Sequence, residues 1–217
     1  MILSNNQLSK VHHICCTFIL LFAIFLTACT FNQQLITEKP VSITHRLWLS
    51  HQQQLANIRK FQIRGIFAYI GPNNKTYAKF FLRQYSMTHY SLLLTDPLGK
   101  IELELIVTPS ITQLIDRDGK KYVNIHLMKM IHQLMGMSIP IENLPYFLIG
   151  LPIQGTSFIL DEHGLVKTIA YKHYNETCHL HYLAYHQDSQ PKLPSRIDFT
   201  QGKRRIKLKM DTWILNK

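Results

Sequence analysis

The chain has 217 residues, 46% of them hydrophobic and 17% charged, with nine Gly and nine Pro. That composition supports one mid-sized domain with a substantial core and excludes collagen-like, coiled-coil and broadly disordered classes. Lys and Arg outnumber Asp and Glu by 24 to 13, and the net charge of +11 suits a polyanion, an anionic membrane surface or an acidic partner.

Residues 1–28 read as a targeting segment. Lys10 precedes an apolar and small-residue run from Ile14 to Leu26, about thirteen residues, the length of a signal-peptide core and short of the roughly 20 that span a bilayer. The run ends Leu26-Thr27-Ala28-Cys29, which resembles the bacterial lipobox. That resemblance implies a diacylglycerol on the Cys29 thiol, cleavage before Cys29 and acylation of the amine so exposed. Thr30, where Asp would retain a chain at the inner membrane, implies the outer membrane by the rule for enteric lipoproteins. The alternative is an uncleaved amphiphilic anchor that keeps Met1. Residues 29–42 are then a lipidated tether and 43–217 a single domain. Cys15 and Cys16 leave with the signal and Cys29 is acylated, so Cys178 stands alone and no intrachain disulfide is available.

From Ile43 to Ile58, Leu47, Trp48, His51, Leu55 and Ile58 recur at helical spacing, which predicts an amphipathic helix. The period then drops to two. Phe61, Ile63, Gly65, Phe67 and Tyr69 alternate with Gln62, Arg64 and Ala68, and Gly71-Pro72-Asn73-Asn74 is a turn before a strand from Tyr77 to Gln84. Strands follow at Tyr90–Thr95, Ile101–Val107, Ile111–Ile115 and from Lys121. Helical spacing returns at Leu127, Met130, Ile131, Leu134 and Met135, with Gly136 as a stop, and Leu144–Ile149 reads as a short helix ending at Gly150-Leu151-Pro152. Strand logic resumes at Phe158–Asp161, Leu165–Lys172, Cys178–Tyr185, Arg196–Thr200 and Arg204–Ile214. The expectation is a mainly β fold of about ten or eleven antiparallel strands with three helices. A sheet of that length, apolar on one face, must curl over something; helices on its open side would leave an apolar pocket suited to lipids.

No catalytic spacing stands out: there is no Gly-x-Ser-x-Gly elbow, phosphate-binding loop or Cys-x-x-Cys. His179 and His181 share a strand face, with His173 and His186 as the nearest further ligands, and a polar strand face explains them without a metal. Glu102 and Glu104 likewise form the solvated face opposite Ile101, Leu103 and Leu105. Alternation in the last strand sends Ile206, Leu208 and Met210 inward and Arg205, Lys207 and Lys209 outward, a cationic stripe that is either a solvated edge or a dock for an acidic partner or anionic lipid. It lacks the interleaved aromatics of a nucleic-acid site. Asp96-Pro97-Leu98-Gly99-Lys100 is a hairpin tip with a leucine at its apex, where a polar residue is the rule. From the residues alone, Leu98 is expected to fold back onto the core.

Several segments together resemble one family. They are Arg64-Gly65-x-Phe67-Ala68-Tyr69, Phe80-Phe81 with Gln84, Leu92-Leu93-Leu94-Thr95-x-Pro97-Leu98-Gly99-x-x-Glu102-Leu103-Glu104, Gly136-Met137-x-Ile139-Pro140, Leu148-x-Gly150-Leu151-Pro152 and Arg205-Ile206-Lys207-Leu208-Lys209-Met210-Asp211-x-Trp213-Ile214. In this order, behind a lipobox, they resemble the outer-membrane lipoprotein receptors of the LolB family. The resemblance implies an incomplete antiparallel barrel with a helical lid and a cavity that takes a lipoprotein's acyl chains from the soluble periplasmic carrier LolA and passes the lipoprotein to outer-membrane phospholipid. It further implies an exposed Leu98 in the membrane-insertion loop Pro97-Leu98-Gly99, against the expectation from the residues alone. The tether is shorter and less rich in Gly and Pro than the family leads one to expect.

Phe67, Tyr69, Phe81, Leu92 and Leu103 are expected to line or support the cavity, and Arg205, Lys207 and Lys209 to meet the carrier or the membrane. Each buried methylene is worth about 0.8 kcal/mol, so exposing a lipoprotein's acyl chains to water would cost tens of kcal/mol and transfer must run from cavity to cavity. No covalent step, cofactor or nucleic acid enters, and a monomer suffices. The rival readings are a periplasmic lipid hydrolase using the same pocket and a structural outer-membrane lipoprotein without ligand.

Overall fold

Apolar and polar residues alternate through most of the chain, and the alternation builds one antiparallel sheet. The computed structural model describes residues 43–123, 141–173 and 176–216; they fall within one compact unit, residues 41–217. The signal segment, the lipobox with Cys29, the tether and the helix expected at Leu127–Met135 lie outside the described residues.

Strands β1 (Lys60–Ile70), β2 (Lys75–Ser86), β3 (His89–Thr95), β4 (Ile101–Val107), β5 (Thr112–Asp116) and β6 (Lys121–Val123) form one meander. A second runs through β7 (Ser157–Leu160), β8 (Val166–His173), β9 (Glu176–Tyr185), β10 (Pro194–Gln201) and β11 (Arg204–Asn216). The first strand pairs with the last, so the order across the sheet is β6-β5-β4-β3-β2-β1-β11-β10-β9-β8-β7. The result is an open, curled sheet with β6 and β7 at its edges. All eleven strands arise where the period of two predicts them.

Antiparallel hairpins sort the turns into two ends. Ile70 lies opposite Arg205, so the β1–β2, β3–β4, β5–β6 and β10–β11 turns share one end with the junction of β8 and β9, called here the hairpin end. The β2–β3, β4–β5, β7–β8 and β9–β10 connections share the other.

The β1–β11 junction needs a glycine. The register shifts between Arg64 and Gly65, and a Cβ on Gly65 would run into the Lys209 carbonyl oxygen and lie 2.7 Å from the Phe80 ring. The bulge accommodates this close approach and bends the central strands.

Helix α1 (Ile43–Ala56) buries Trp48, His51 and Leu55, residues three and four apart on one stripe. Leu47, expected in that stripe, is 46% exposed. The Trp48 ring lies 5.4 Å from Phe158 of β7, and a Cβ on Gly164 in the β7–β8 turn would crowd Thr44 and Trp48. The helix thus lies at the non-hairpin end, between that turn and the start of β1. A 3-10 turn (Ile141–Asn143) leads into α2 (Leu144–Ile149), which has Pro145 in its first turn and Gly150 in the left-handed conformation, φ 81°, at its end. Cys178 is fully buried on β9, and burial pushes its thiol pKa up.

Two outcomes follow. Gly65→Ala should destabilise the fold by about 2 kcal/mol or more, the usual consequence of overpacking a tight contact, read as a lowered midpoint of chemical unfolding. Burial depresses the His51 pKa, opposed in part by Asp161; the folded state therefore favours neutral imidazole. That contribution is complete above an unfolded pKa of about 6.5 and is lost as pH falls toward the folded value. Tm measured from pH 7.5 down to 5.5 should fall, and His51→Gln should shrink the slope whatever it does to Tm at pH 7.5.

Candidate functional site: a roofed apolar cavity

The inner face of the sheet holds a cavity of about 100 Å³. One wall comes from the first meander: Phe67 of β1, Phe80 and Leu82 of β2, Leu92 and Leu94 of β3. The second meander supplies the other: Leu180 of β9, Ile197 and Phe199 of β10, Ile206 and Leu208 of β11. Leu144, Phe147 and Leu148 of α2 form the roof. Cross-strand register explains the assembly, since Phe80 faces Leu94, Leu82 faces Leu92, Ile197 faces Leu208 and Phe199 faces Ile206. On β1 and β11 the lining residues belong to the half of the strand nearer the hairpin end, whereas Phe61 and Trp213, whose rings lie 5.4 Å apart, close the half nearer α1.

Among the described residues every lining side chain is Phe, Leu or Ile, a surface that suits hydrocarbon rather than water or a polar ligand. Its size sets a condition. An engineered apolar cavity of about 150 Å³ takes one benzene, so a volume of about 100 Å³ holds no long acyl chain until the roof lifts. Two tyrosines hold that roof. The Tyr90 hydroxyl of β3 donates to the Ile141 carbonyl at 2.7 Å, and the Tyr182 hydroxyl of β9 donates to the Phe147 carbonyl at 2.7 Å, both buried. Burial raises both phenol pKa values well above the ordinary one, so both remain donors.

The predicted residues divide. Phe67 and Leu92 line the cavity; Tyr69 is buried in the surrounding core and Leu103 packs against it. Phe81 requires a correction. It points to the outer face, with the Arg64 guanidinium 5.2 Å and that of Arg83 5.5 Å from its ring. Strand alternation admits only one of two adjacent phenylalanines, and Phe80, opposite Gly65 with its missing side chain, is the one admitted. Phe80, Leu94, Leu180, Ile197, Phe199 and the roof residues are not among those the sequence assigns to the cavity, although Ala78-x-Phe80-x-Leu82 carries the signal.

Leu98 is 95% exposed, which corrects the expectation that it folds back. The turn is complete without it. Asp96 Oδ1 accepts from the Lys100 amide at 2.8 Å, the Gly99 amide donates to the Asp96 carbonyl at 3.1 Å with φ at 92°, and Lys79 Nζ donates to the Pro97 carbonyl at 3.1 Å. Pro97 and Gly99 are exposed beside it.

Arg205, Lys207 and Lys209 project from the outer face as alternation predicts. Two of them are neutralised: Arg205 pairs with the buried Asp198, and Lys209 Nζ lies 2.6 Å from Asp211. His179 and His181 stack with ring centres 5.9 Å apart, and burial, with His179 and Arg205 nearby, lowers the His181 pKa. His186 instead meets the Met210 carbonyl at 3.0 Å, and no cluster of three metal-ligating side chains occurs among the described residues. Glu102 lies 3.8 Å from Arg117.

The described residues define the class of open, curled antiparallel sheets whose inner face and a short helix border an apolar cavity. The fold is similar to that of a DUF1329 family protein from Desulfovibrio piger (TM-score 0.55, 7% identity, 82% of this chain and 93% of that one). It is similar also to a LolA superfamily protein from Nitrosomonas europaea (TM-score 0.51, 6% identity, 80% and 94%). Residues 59–213 match the family described as outer membrane lipoprotein LolB. The chain is 44% identical over 190 residues to the outer-membrane lipoprotein LolB of Photorhabdus laumondii, covering 88% of this chain and 90% of the relative. It is 42% identical over 196 residues to that of Yersinia pestis, covering 90% and 93%. The chain belongs to the LolB family of outer membrane lipoproteins.

Tyr182→Phe removes a buried donor and should destabilise the protein by about 1–2 kcal/mol. Amide exchange within 144–149 should accelerate more than in β1 or β11, because the roof loses its tie before the sheet does.

Proposed function

We propose that this chain is a receptor anchored to the outer membrane through an acylated Cys29, its signal segment 1–28 removed, with residues 29–42 as tether. It takes lipoprotein acyl chains from the soluble periplasmic carrier LolA and inserts the lipoprotein into the outer membrane. The observation that carries this reading is the all-hydrocarbon cavity beneath a roof held by two hydrogen bonds, within a LolB-family fold. Incoming acyl chains displace the roof, and apolar contact with Phe67, Phe80, Leu92 and Phe199 replaces contact with the carrier. Nothing covalent is required of the chain for this transfer. A monomer is sufficient, since cavity and roof come from one chain.

Binding is tested by a fluorescent fatty acid and its displacement by lipoprotein; absence of any saturable apolar site would refute the reading. Leu98 separates acceptance from delivery. Because its side chain is almost wholly exposed, Leu98→Glu should change stability by no more than about 0.5 kcal/mol. Burying a leucine in a bilayer is worth roughly 1.5–3 kcal/mol, and a carboxylate opposes entry. Partitioning of cargo between receptor and liposomes over time should therefore show normal acceptance, slow delivery and cargo retained on the receptor. Normal delivery by a stable variant would remove Leu98 from the insertion step.

A further inference from the structure

Exposed lysines gather around one turn leucine. Lys75, Lys100, Lys120, Lys121, Lys172 and Lys203 are all exposed and all stand at the hairpin end, spread across both meanders. Among the described residues none of these six forms an ion pair within 4.0 Å, although Lys120 lies close enough to Asp116 to help lower its pKa and stands 5.1 Å over the Tyr122 ring. The acids at that end are fewer: Asp96 accepts from the Lys100 amide, the Asp116 carboxylate accepts from the amides of Asp118 and Lys120 and from the Tyr122 hydroxyl, Glu102 lies near Arg117, and Asp118 and Glu176 are exposed. The opposite end carries exposed cations too, among them Arg46, Arg59, Lys60 and Arg83, with Asp161, Glu162 and Asp188 at the same end; what marks the hairpin end is that its lysines surround the exposed Leu98.

Two independent features therefore share one end: the lysines and the exposed Leu98. We propose that the hairpin end is a docking surface for a bilayer carrying anionic phospholipid, seated so that the lysines meet headgroups while Leu98 enters the hydrocarbon. Fields at a membrane surface fall off within about 10 Å at 0.1 M salt. Only cations on the facing end are felt, and distribution matters more than net charge. One leucine alone gives a preference of only about ten- to a hundredfold; the lysines supply the remainder and the orientation. An acidic protein is the poorer fit, because an apolar apex among the cations would be left in water or against charge, and unpaired lysines lack the fork geometry that arginine brings to carboxylates. The inference rests on the receptor reading only for what is delivered, not for the docking itself.

The test uses the full chain with Cys29→Ala, so that no acyl anchor forms. Co-flotation is measured with pure phosphatidylcholine vesicles and with 3:1 phosphatidylcholine:phosphatidylglycerol vesicles, in low and high salt; the apolar N-terminal run contributes alike to both. Two variants lose four cations each: Lys100, Lys120, Lys121 and Lys203 to Gln at the hairpin end, and Arg59, Lys60, Lys167 and Lys192 to Gln elsewhere. Binding should prefer the anionic vesicles, weaken with salt and fall at least about tenfold in the first variant while changing little in the second. Equal loss in both variants, or no preference for anionic vesicles, would overturn the proposal. So would lysine-dependent binding to the carrier with vesicle binding unchanged. Fatty-acid displacement is run on the same proteins: failure of the unsubstituted chain to bind the probe would refute the receptor reading and leave the docking result standing.

Discussion

Everything in this fold depends on the pairing of the first strand with the last. The β1–β11 ladder joins two meanders that would otherwise be separate ribbons, and its register decides which set of side chains faces inward on both sides. A slip by one residue would keep the first meander's face and exchange Leu208 for Lys209 on the second, turning half of a hydrocarbon wall into a charged one. The contact at Gly65, where backbone meets backbone without an intervening side chain, opposes that slip.

Because the cavity walls come from both meanders, the roof is tied to both. Tyr90 reaches it from β3 and Tyr182 from β9. Spreading the two halves of the sheet would strain these two hydrogen bonds first, whereas the sheet itself is held by ladders along its whole length. Entry of hydrocarbon thus works against a small number of polar contacts while it gains apolar burial in proportion to chain length. A site that binds and releases a large apolar ligand without chemistry needs that imbalance between a light lid and a stiff frame.

Much of this was legible from residue order, because a period of two along β1, β2, β10 and β11 reports both strand and face. What was not legible came from contacts between distant segments. The β1–β11 pairing has no local signal, and without it the Phe80-Phe81 doublet is ambiguous: either ring can be inward until Gly65 is placed opposite Phe80. The roof residues read only as a short helix, since the carbonyls of Ile141 and Phe147 meet their tyrosines across 51 and 35 residues of sequence. Leu98 was misjudged from composition because apolar residues usually find cover, yet a turn closed by Asp96, Gly99 and Lys100 leaves its apex nothing to fold against. Motif resemblance supplied what periodicity could not, namely an exposed leucine, though it gave no reason; the turn geometry supplies one.

Cys178 has a consequence for the life of the chain outside the cytoplasm. It is the one cysteine in the described residues, fully buried, and burial raises its thiol pKa. Attack on oxidants or disulfides requires the thiolate and access, and the folded protein supplies neither. The sulfur is reactive only in the interval before β8, β9 and β10 close over it. Stray intermolecular disulfides would therefore record chains that met an oxidising milieu unfolded, and the thiol is a chemical clock for folding.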